Sequence, residues 1–488
     1  MTARPIAALA RDGAIYTGGM LLARAMSFVM VPVYTHFLTP ADYGLLELLD
    51  TADEVAVVAL SAAIADPVLR HHHDAPDGPA RDRVISTAML SLAALSVVVT
   101  ALGFAAAPAL SSALFGHPGH AGLLRLTLAS VAFQTVVEVP LARFRGTDAP
   151  LRFMGWYLAR IAVGLALNVL FIAGMGMGVR GRLLSTLIAS ALITTTLSAL
   201  TLRDVGARFD RDVFGAMLAF GWPLIPGALA LIALQHGRSW VLNHWTTLAE
   251  VGFWALGWRV GTLASQVLGK PLRDAWAARM YTLWDASGPD GPRVFRSAAT
   301  AVIALHVWAA ASLAALAPDA VAALATAAYA PAARVAPAVA AAYAMREAAE
   351  LFRNGLVLAR DTRPVAWVEP ALAVFDFALG AALVSRWGLT GAIVATPVVF
   401  TVYAVAMHLA LRRRLDVPWR YGRLATIAAL GLALGAGGNL LHLGGLWADV
   451  AVKAALCALW PLAAVALVFT DPDERAMVSA LRRRLAWW

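Results

Sequence analysis

The chain has 488 residues, 60% of them hydrophobic and 14% charged, with a mean hydropathy of +0.70 and a formal net charge of +9. So few polar side chains cannot coat a water-soluble globule, so the composition excludes a soluble domain and implies a protein that crosses the bilayer many times. A single cysteine, Cys457, excludes an intramolecular disulfide and a cysteine metal centre.

A spanning helix needs about 20 apolar residues. Fourteen such runs follow one another, at approximately 13–36, 42–66, 84–110, 122–142, 153–174, 183–202, 213–236, 250–270, 295–317, 334–358, 364–386, 390–411, 423–441 and 449–469. The first is too long for a removable signal peptide and lacks a small-residue cleavage site. The alanine-rich stretch from Ala309 to Ala344 suits a helix in lipid or in water, so its ends are the hardest to place. With the N-terminus inside, roughly 28 of the 39 lysines and arginines are cytoplasmic, about 7 lie outside and about 4 fall within spans. That asymmetry predicts N-in and C-in, and it involves Arg70, Arg81, Arg83, Arg143, Arg145, Arg152, Arg412 to Arg414 and Arg482 to Arg484. The basic pI therefore reports topology and is no argument for nucleic acid.

The chain repeats itself. His36-Phe-Leu-Thr39-Pro-Ala41-Asp42-Tyr-Gly44 aligns without a gap with His244-Trp-Thr-Thr247-Leu-Ala249-Glu250-Val-Gly252. Both segments form the outer turn of a helical hairpin, between spans 1 and 2 and between spans 7 and 8. An offset of six helices gives parallel repeats related by an axis along the membrane normal. The predicted fold is all-α and polytopic, with about 14 transmembrane helices in two pseudo-symmetric six-helix lobes, 1–209 and 210–415. An extra helical pair and tail, 416–488, follows. Within the first hairpin, Thr39 or Asp42 is placed to cap the second helix, Pro40 suits its first turn, and Gly44 permits close packing.

Two blocks resemble a known family. GAIYTGGMLLARAMSFVMVPVYTHFLTPADYGLLELL and LAFGWPLIPGALALIALQHGRSWVLNHWTTLAEVGFWALGWRVG are similar to the lobe openings of the polysaccharide transporter (Wzx-like oligosaccharide flippase) family. That family belongs to the multidrug/oligosaccharidyl-lipid/polysaccharide exporter superfamily. Leu316 to Ala340 echoes a third, weaker block. One departure stands out: where relatives carry an Asp-Arg pair at the end of helix 7, this chain has His236-Gly237-Arg238.

Charges inside the spans carry the functional argument. A charged side chain at a helix centre costs about 2.5–3.5 kcal/mol on insertion scales, so Arg24, Arg160, Arg259 and Arg346 must face protein or water. Arg24 and Glu54 each lie 12 residues from the outer turn, about 18 Å at 1.5 Å per residue, on adjacent antiparallel helices. Glu47, Asp50 and Glu54 share one face of helix 2. Two readings follow: a structural ion pair joining helices 1 and 2, or a cationic, titratable site in a central cavity. Arg259 has Trp254 and Trp258 beside it, fit for a stacked guanidinium. Arg346, Glu350 and Arg353 form a ladder that can neutralise itself. Arg160 is placed to pair with Glu138. Asp376, mid-helix 11, is a candidate for coupling to H+ or Na+ or for an interhelical hydrogen bond. Gly431 and Gly435 make a close-packing surface. His71 to His73 have no enforced geometry for a metal, and no metal or cofactor is expected.

The resemblance implies a flippase that moves a polyprenyl-pyrophosphate-linked oligosaccharide across the bacterial inner membrane for surface polysaccharide synthesis. Its implied partners are membrane lipid, and a polysaccharide polymerase and glycosyltransferases. The candidate substrate-binding cations are Arg24, Arg259 and Arg346, since guanidinium binds phosphate oxygens in a bidentate manner. A peptidoglycan-precursor flippase shares the lipid pyrophosphate. A drug exporter would use an acidic cavity, which Glu47, Asp50, Glu54 and Asp376 keep open. A polymerase, ligase or lipid-dependent glycosyltransferase needs a sizeable outer loop bearing catalytic residues, and none is evident.

Overall fold

The computed structural model describes residues 3–147 and 149–467. The basic tail expected at Arg482 to Arg484 lies outside them. Seventeen α-helices follow in order among the described residues. The first nine are α1 (Ala3–Phe37), α2 (Pro40–Asp74), α3 (Pro79–Phe115), α4 (Ala121–Val136), α5 (Glu138–Gly146), α6 (Pro150–Asn168), α7 (Gly178–Val205), α8 (Arg211–Gly221) and α9 (Ile225–Trp245). The rest are α10 (Leu248–Gly261), α11 (Lys270–Ser287), α12 (Gly291–Leu324), α13 (Val335–Leu358), α14 (Arg363–Trp387), α15 (Leu389–Arg412), α16 (Tyr421–Leu440) and α17 (Leu446–Leu467). No strand occurs among these residues.

Each expected span corresponds to one helix or to a run of consecutive ones. The fourth is α4 with α5; the fifth is α6 continued by the π-helical Val169–Gly174; the seventh joins α8, the 3-10 turn Trp222–Leu224 and α9. The eighth joins α10 and the π-helical Ser265–Gly269, and α11 continues beyond its expected end at 270 as a helix the apolar runs did not predict. Among the described residues, eleven helices are long and apolar enough to cross a membrane. The expected spans outside that group are α2, α10 with α11, and α13, which bear Glu47, Asp50, Asp53 and Glu54; Arg259 and Arg273; and Arg346, Glu347, Glu350 and Arg353. Ionisable residues lower their hydropathy, and the same residues keep these helices from turning those faces to lipid.

The chain divides into two compact units, Met1–Asn243 and His244–Trp488. In the first, α2 packs against α3, α4, α5 and α8, while α1 packs mainly on α6. Ile64 and Val68 of α2 meet Ile85, Met89 and Leu92 of α3 in a shared core with Met217 of α8. A Cβ on Gly221 would collide with the carbonyls of Ala62 and Ala63, so glycine alone lets α8 lie directly on α2.

In the second unit, α13 packs on α10, α12 and α15. Gly257 and Gly261 of α10 bring that helix against Val335, Ala336 and Val339. The expected glycine surface on α16 is used: Gly431, Gly435 and also Gly438 face Val307, Ala311, Ala314 and Ala315 of α12. On α17, Lys453 Nζ pairs with Asp319 Oδ2 of α12 at 2.6 Å, with the lysine side chain fully buried. One turn on, Trp308 Nε1 donates to the carbonyl of Cys457 at 2.7 Å. The pair thus clamps the C-terminal helices to the rest of their unit. At a polar turn, Arg414 Nε donates to Asp361 Oδ2 at 2.5 Å and holds that carboxyl below its ordinary range.

Removing one partner of a buried ion pair strands the other charge, at about 3–5 kcal/mol. Lys453→Met should therefore lower the thermal unfolding midpoint in detergent markedly, while Asp319→Leu with Lys453→Met should recover most of the loss.

Candidate functional site

The two repeated hairpins start their second helices in the same way. Thr39 Oγ1 accepts from the Asp42 amide at 3.2 Å and Asp42 Oδ2 accepts from the Thr39 amide at 3.1 Å, a reciprocal capping box with Pro40 in the first turn. Thr247 Oγ1 likewise accepts from the Glu250 amide at 3.3 Å. Here the acid does a different job: Glu250 Oε2 accepts from the Leu389 amide at 2.8 Å, at the N-terminus of α15, where a helix favours negative charge. The preceding Gly388 has φ +53°, a conformation suited to glycine, and a Cβ there would press on that carboxylate.

Within the first unit the acidic face of α2 gathers partners from α4, α7 and α9. Arg182 Nη2 of α7 donates to both carboxylate oxygens of Asp50 at 3.1 Å. Gln134 Nε2 of α4 donates to Asp53 at 2.9 and 3.1 Å. His236 of α9 lies between two carboxylates, Nδ1 3.4 Å from Glu47 Oε1 and Nε2 3.2 Å from Glu54 Oε2. Only a doubly protonated ring donates to both. Ser239 Oγ donates to Glu47 Oε1 at 3.3 Å. The imidazole of the His236-Gly237-Arg238 segment thus faces two acids. Arg24 is exposed on α1. Arg160 is half-buried over the Tyr157 ring at 5.8 Å, and Glu138 is half-buried at the start of α5.

The second unit places Arg259 at an exposed position of α10, next to an aromatic chain. Trp254 and Trp258 have centroids 5.4 Å apart, Trp258 meets Tyr343 at 5.4 Å, and Tyr343 meets Phe400 at 5.8 Å. The half-buried Arg346 guanidinium sits over Tyr343 at 5.2 Å, a cation–π contact. Of the expected ladder, Arg353 pairs with Glu350 at 3.2 Å and also reaches Glu369 of α14 at 3.3 Å, which accepts from Tyr403 Oη at 3.1 Å. Asp376 occupies a half-buried position on α14.

Sequence reasoning passed over a third group. Glu347, 1% exposed, is held by Arg273 of α11 and accepts from Ser265 Oγ at 2.6 Å; His306 Nε2 of α12 lies 3.8 Å away. Glu347 is one residue from Arg346, about 100° around the helix, and so faces the interior. His306 inside the apolar ninth span was the available signal. Arg182 was missed because α7 begins a turn earlier than its hydropathy indicates. Among the described residues no three His, Cys, Asp or Glu side chains converge on a metal-sized site. Of the histidine run, His72 is pushed below the ordinary imidazole value by burial, then by the Arg81 and Arg143 cations.

The family described as polysaccharide biosynthesis protein matches residues 33–334, more than half of the chain. The chain belongs to this family. Its fold is that of the multidrug/oligosaccharidyl-lipid/polysaccharide exporter superfamily. A lipid II flippase MurJ in an inward closed conformation superposes with a TM-score of 0.74 at 10% identity, covering 91% of this chain and 97% of that one. An inward-facing multidrug resistance MATE transporter superposes at 0.65 and 17% identity, covering 80% and 94%. A superfamily transporter from Pyrococcus furiosus, noted for reverse polarity of its binding pocket, gives 0.51 at 16%, covering 84% and 95%. No curated protein matches the sequence. This family member is a multi-pass membrane protein.

A hydrogen bond to a charged group is worth about 1.5–3 kcal/mol. Arg182→Met should lower the unfolding midpoint accordingly, with Asp50→Asn in the same chain restoring part of it, as differential scanning fluorimetry in detergent would show.

Proposed function

We propose that the protein flips a polyprenyl-pyrophosphate-linked oligosaccharide from the cytoplasmic to the outer leaflet of the bacterial inner membrane, by alternating access, for surface polysaccharide synthesis. One observation carries the reading: Arg24 and Arg259 are both exposed, Arg24 on the helix before the first repeated turn and Arg259 on the helix after the second. Each lies 12 residues from the repeated turn, His36 and Thr247 respectively, hence at about 18 Å depth. An arginine exposed at that depth faces water, since lipid would cost several kcal/mol. The lipid tail stays in the bilayer during transfer; only the sugar and the pyrophosphate need a polar route. Arg24 and Arg259, with Arg346, supply permanently charged, bidentate donors for the phosphate oxygens.

In this reading the repeat defines lobes 1–209 and 210–415 with 416–488 added, oriented N-in and C-in. Glu47, Asp50, Glu54 and Asp376 serve as ion-pair or H+/Na+ coupling groups. A polymerase and glycosyltransferases act before and after it. The family match supports it over a drug exporter, and so do the α2 carboxylates, engaged by Arg182, His236 and Gln134. A peptidoglycan precursor presents the same headgroup and is the nearest alternative cargo, favoured by the fold likeness to the lipid II flippase.

Losing one arginine–phosphate contact of about 1.5–3 kcal/mol corresponds to roughly 10–100-fold. Arg24→Ala and Arg259→Ala should each cut surface polysaccharide by about that factor while membrane abundance stays normal and undecaprenyl-linked repeat units build up inside. Wild-type surface glycan in both variants would refute the assignment.

A further inference from the structure

Two connecting segments of the second unit meet at one end of its helices, 359–363 between α13 and α14 and 413–420 between α15 and α16. The bridge from Arg414 Nε to Asp361 Oδ2, 2.5 Å long, fastens one to the other. Val417 and Trp419 are buried and pin the longer segment to the helix ends. Trp419 lies among Phe295, Phe352 and His408, with ring centroids 6.2, 5.4 and 5.7 Å away. With the adjoining helix ends, residues 359–363 and 412–423 hold seven arginines against two aspartates. Arg360, Arg363, Arg412 and Arg413 are exposed, and among the described residues no ion pair includes them. The fold thus holds like charges side by side, which an anion would relieve.

The same surface continues into the bilayer as an apolar stripe. Val398, Val402, Val405 and Leu409 of α15 are 40–51% exposed, and Arg412 follows them on the same helical face. The intervening Val399, Tyr403, Met407 and Leu411 are buried in the core of the unit, so α15 has one face for protein and one for lipid. From Val398 to Leu409 the helix rises about 17 Å at 1.5 Å per residue. Half of a hydrocarbon core of about 30 Å is nearly the same length, so the stripe is as deep as one leaflet. Trp367 and Tyr421, exposed near the starts of α14 and α16, mark the headgroup level, where aromatic rings with a polar edge settle.

The structure assigns this surface to an anionic phospholipid of the leaflet it adjoins, with the phosphate on Arg412 and Arg413 beside the α13–α14 arginines and an acyl chain along the α15 stripe. Charge alone would suit any acidic partner; the stripe that runs from the same arginines into the bilayer selects a lipid. Arg346 lies 12 residues, about 18 Å, inside the end of α13, so the site is distinct from that proposed substrate cation. In the orientation proposed above the leaflet is the cytoplasmic one, but the assignment depends neither on orientation nor on cargo.

The test measures binding of dioleoyl phosphatidylglycerol and dioleoyl phosphatidylcholine to the full chain in detergent by native mass spectrometry. An arginine near the membrane surface attracts anionic lipid by about 1 kcal/mol, so two correspond to roughly 30-fold. Wild type should therefore prefer phosphatidylglycerol by about that factor, and Arg412→Gln with Arg413→Gln should erase most of the preference. Arg83→Gln with Arg152→Gln removes the same charge from exposed positions of the first unit and should leave it in place. Val405→Ala with Leu409→Ala, which trims the stripe, should weaken phosphatidylglycerol about fivefold and keep the headgroup preference. Unchanged unfolding midpoints show that each variant is folded. Equal binding of the two lipids by wild type overturns the assignment, and so does an equal loss in both arginine pairs, which bulk charge would give. Unaltered affinity after trimming overturns the placement of the chain on α15. Displacement of phosphatidylglycerol by equimolar farnesyl pyrophosphate overturns the phospholipid assignment in favour of a cargo site.

Discussion

The cost of an ionised group in a low-dielectric medium organises this molecule. At four places where a carboxylate enters a span, the structure sets a cation or imidazole from another helix against it: Arg182 for Asp50, His236 for Glu47 and Glu54, Arg273 for Glu347, Lys453 for Asp319. Each pairing specifies which helices are neighbours more sharply than apolar contact does, since lipid tails are as apolar as leucine and give helix association little hydrophobic drive. The less apolar helices α2, α11 and α13 thus act as polar struts, and small residues such as Gly221, Gly257 and Gly431 let the backbones come close enough for them to engage.

The two units solve the same problem with different chemistry. In the first, acids on one helix gather a guanidinium, an imidazole and an amide from three others. In the second, Glu347 is deeply buried and held by Arg273 and Ser265, and an aromatic ring takes part in cation-holding, with Tyr343 lying under Arg346. The shared hairpin caps, Thr39 and Thr247, show a common local plan; the diversion of Glu250 to α15 shows how one repeat has put the same acidic position to a long-range use.

Much of the architecture was legible in the chain. Apolar run length located the helices, because a bilayer of fixed thickness imposes a fixed length, and the repeated turn marked equivalent hairpins. Pairing across helices was not legible. The sequence predicts that Glu47, Asp50 and Glu54 share a face, but periodicity says nothing about which neighbour presents Arg182 or His236. The i, i+4 ladder reasoning that singled out Arg346 and Glu350 skipped Glu347, whose importance arises from helices 40 to 80 positions away. Lys453 was hidden for a related reason: one cation in a long apolar run barely changes a window average.

The clasp between Glu250 and the first amide of α15 ties together the N-terminal ends of α10 and α15, two helices far apart in the sequence of their unit. Fifteen residues further along the same path, the regular backbone ladder gives way to the wider π-helical Ser265–Gly269, whose Ser265 donates to Glu347. A rod pinned at its tip and weakened part-way down bends at the weak point. The weak point of this path is thereby set beside the buried Glu347.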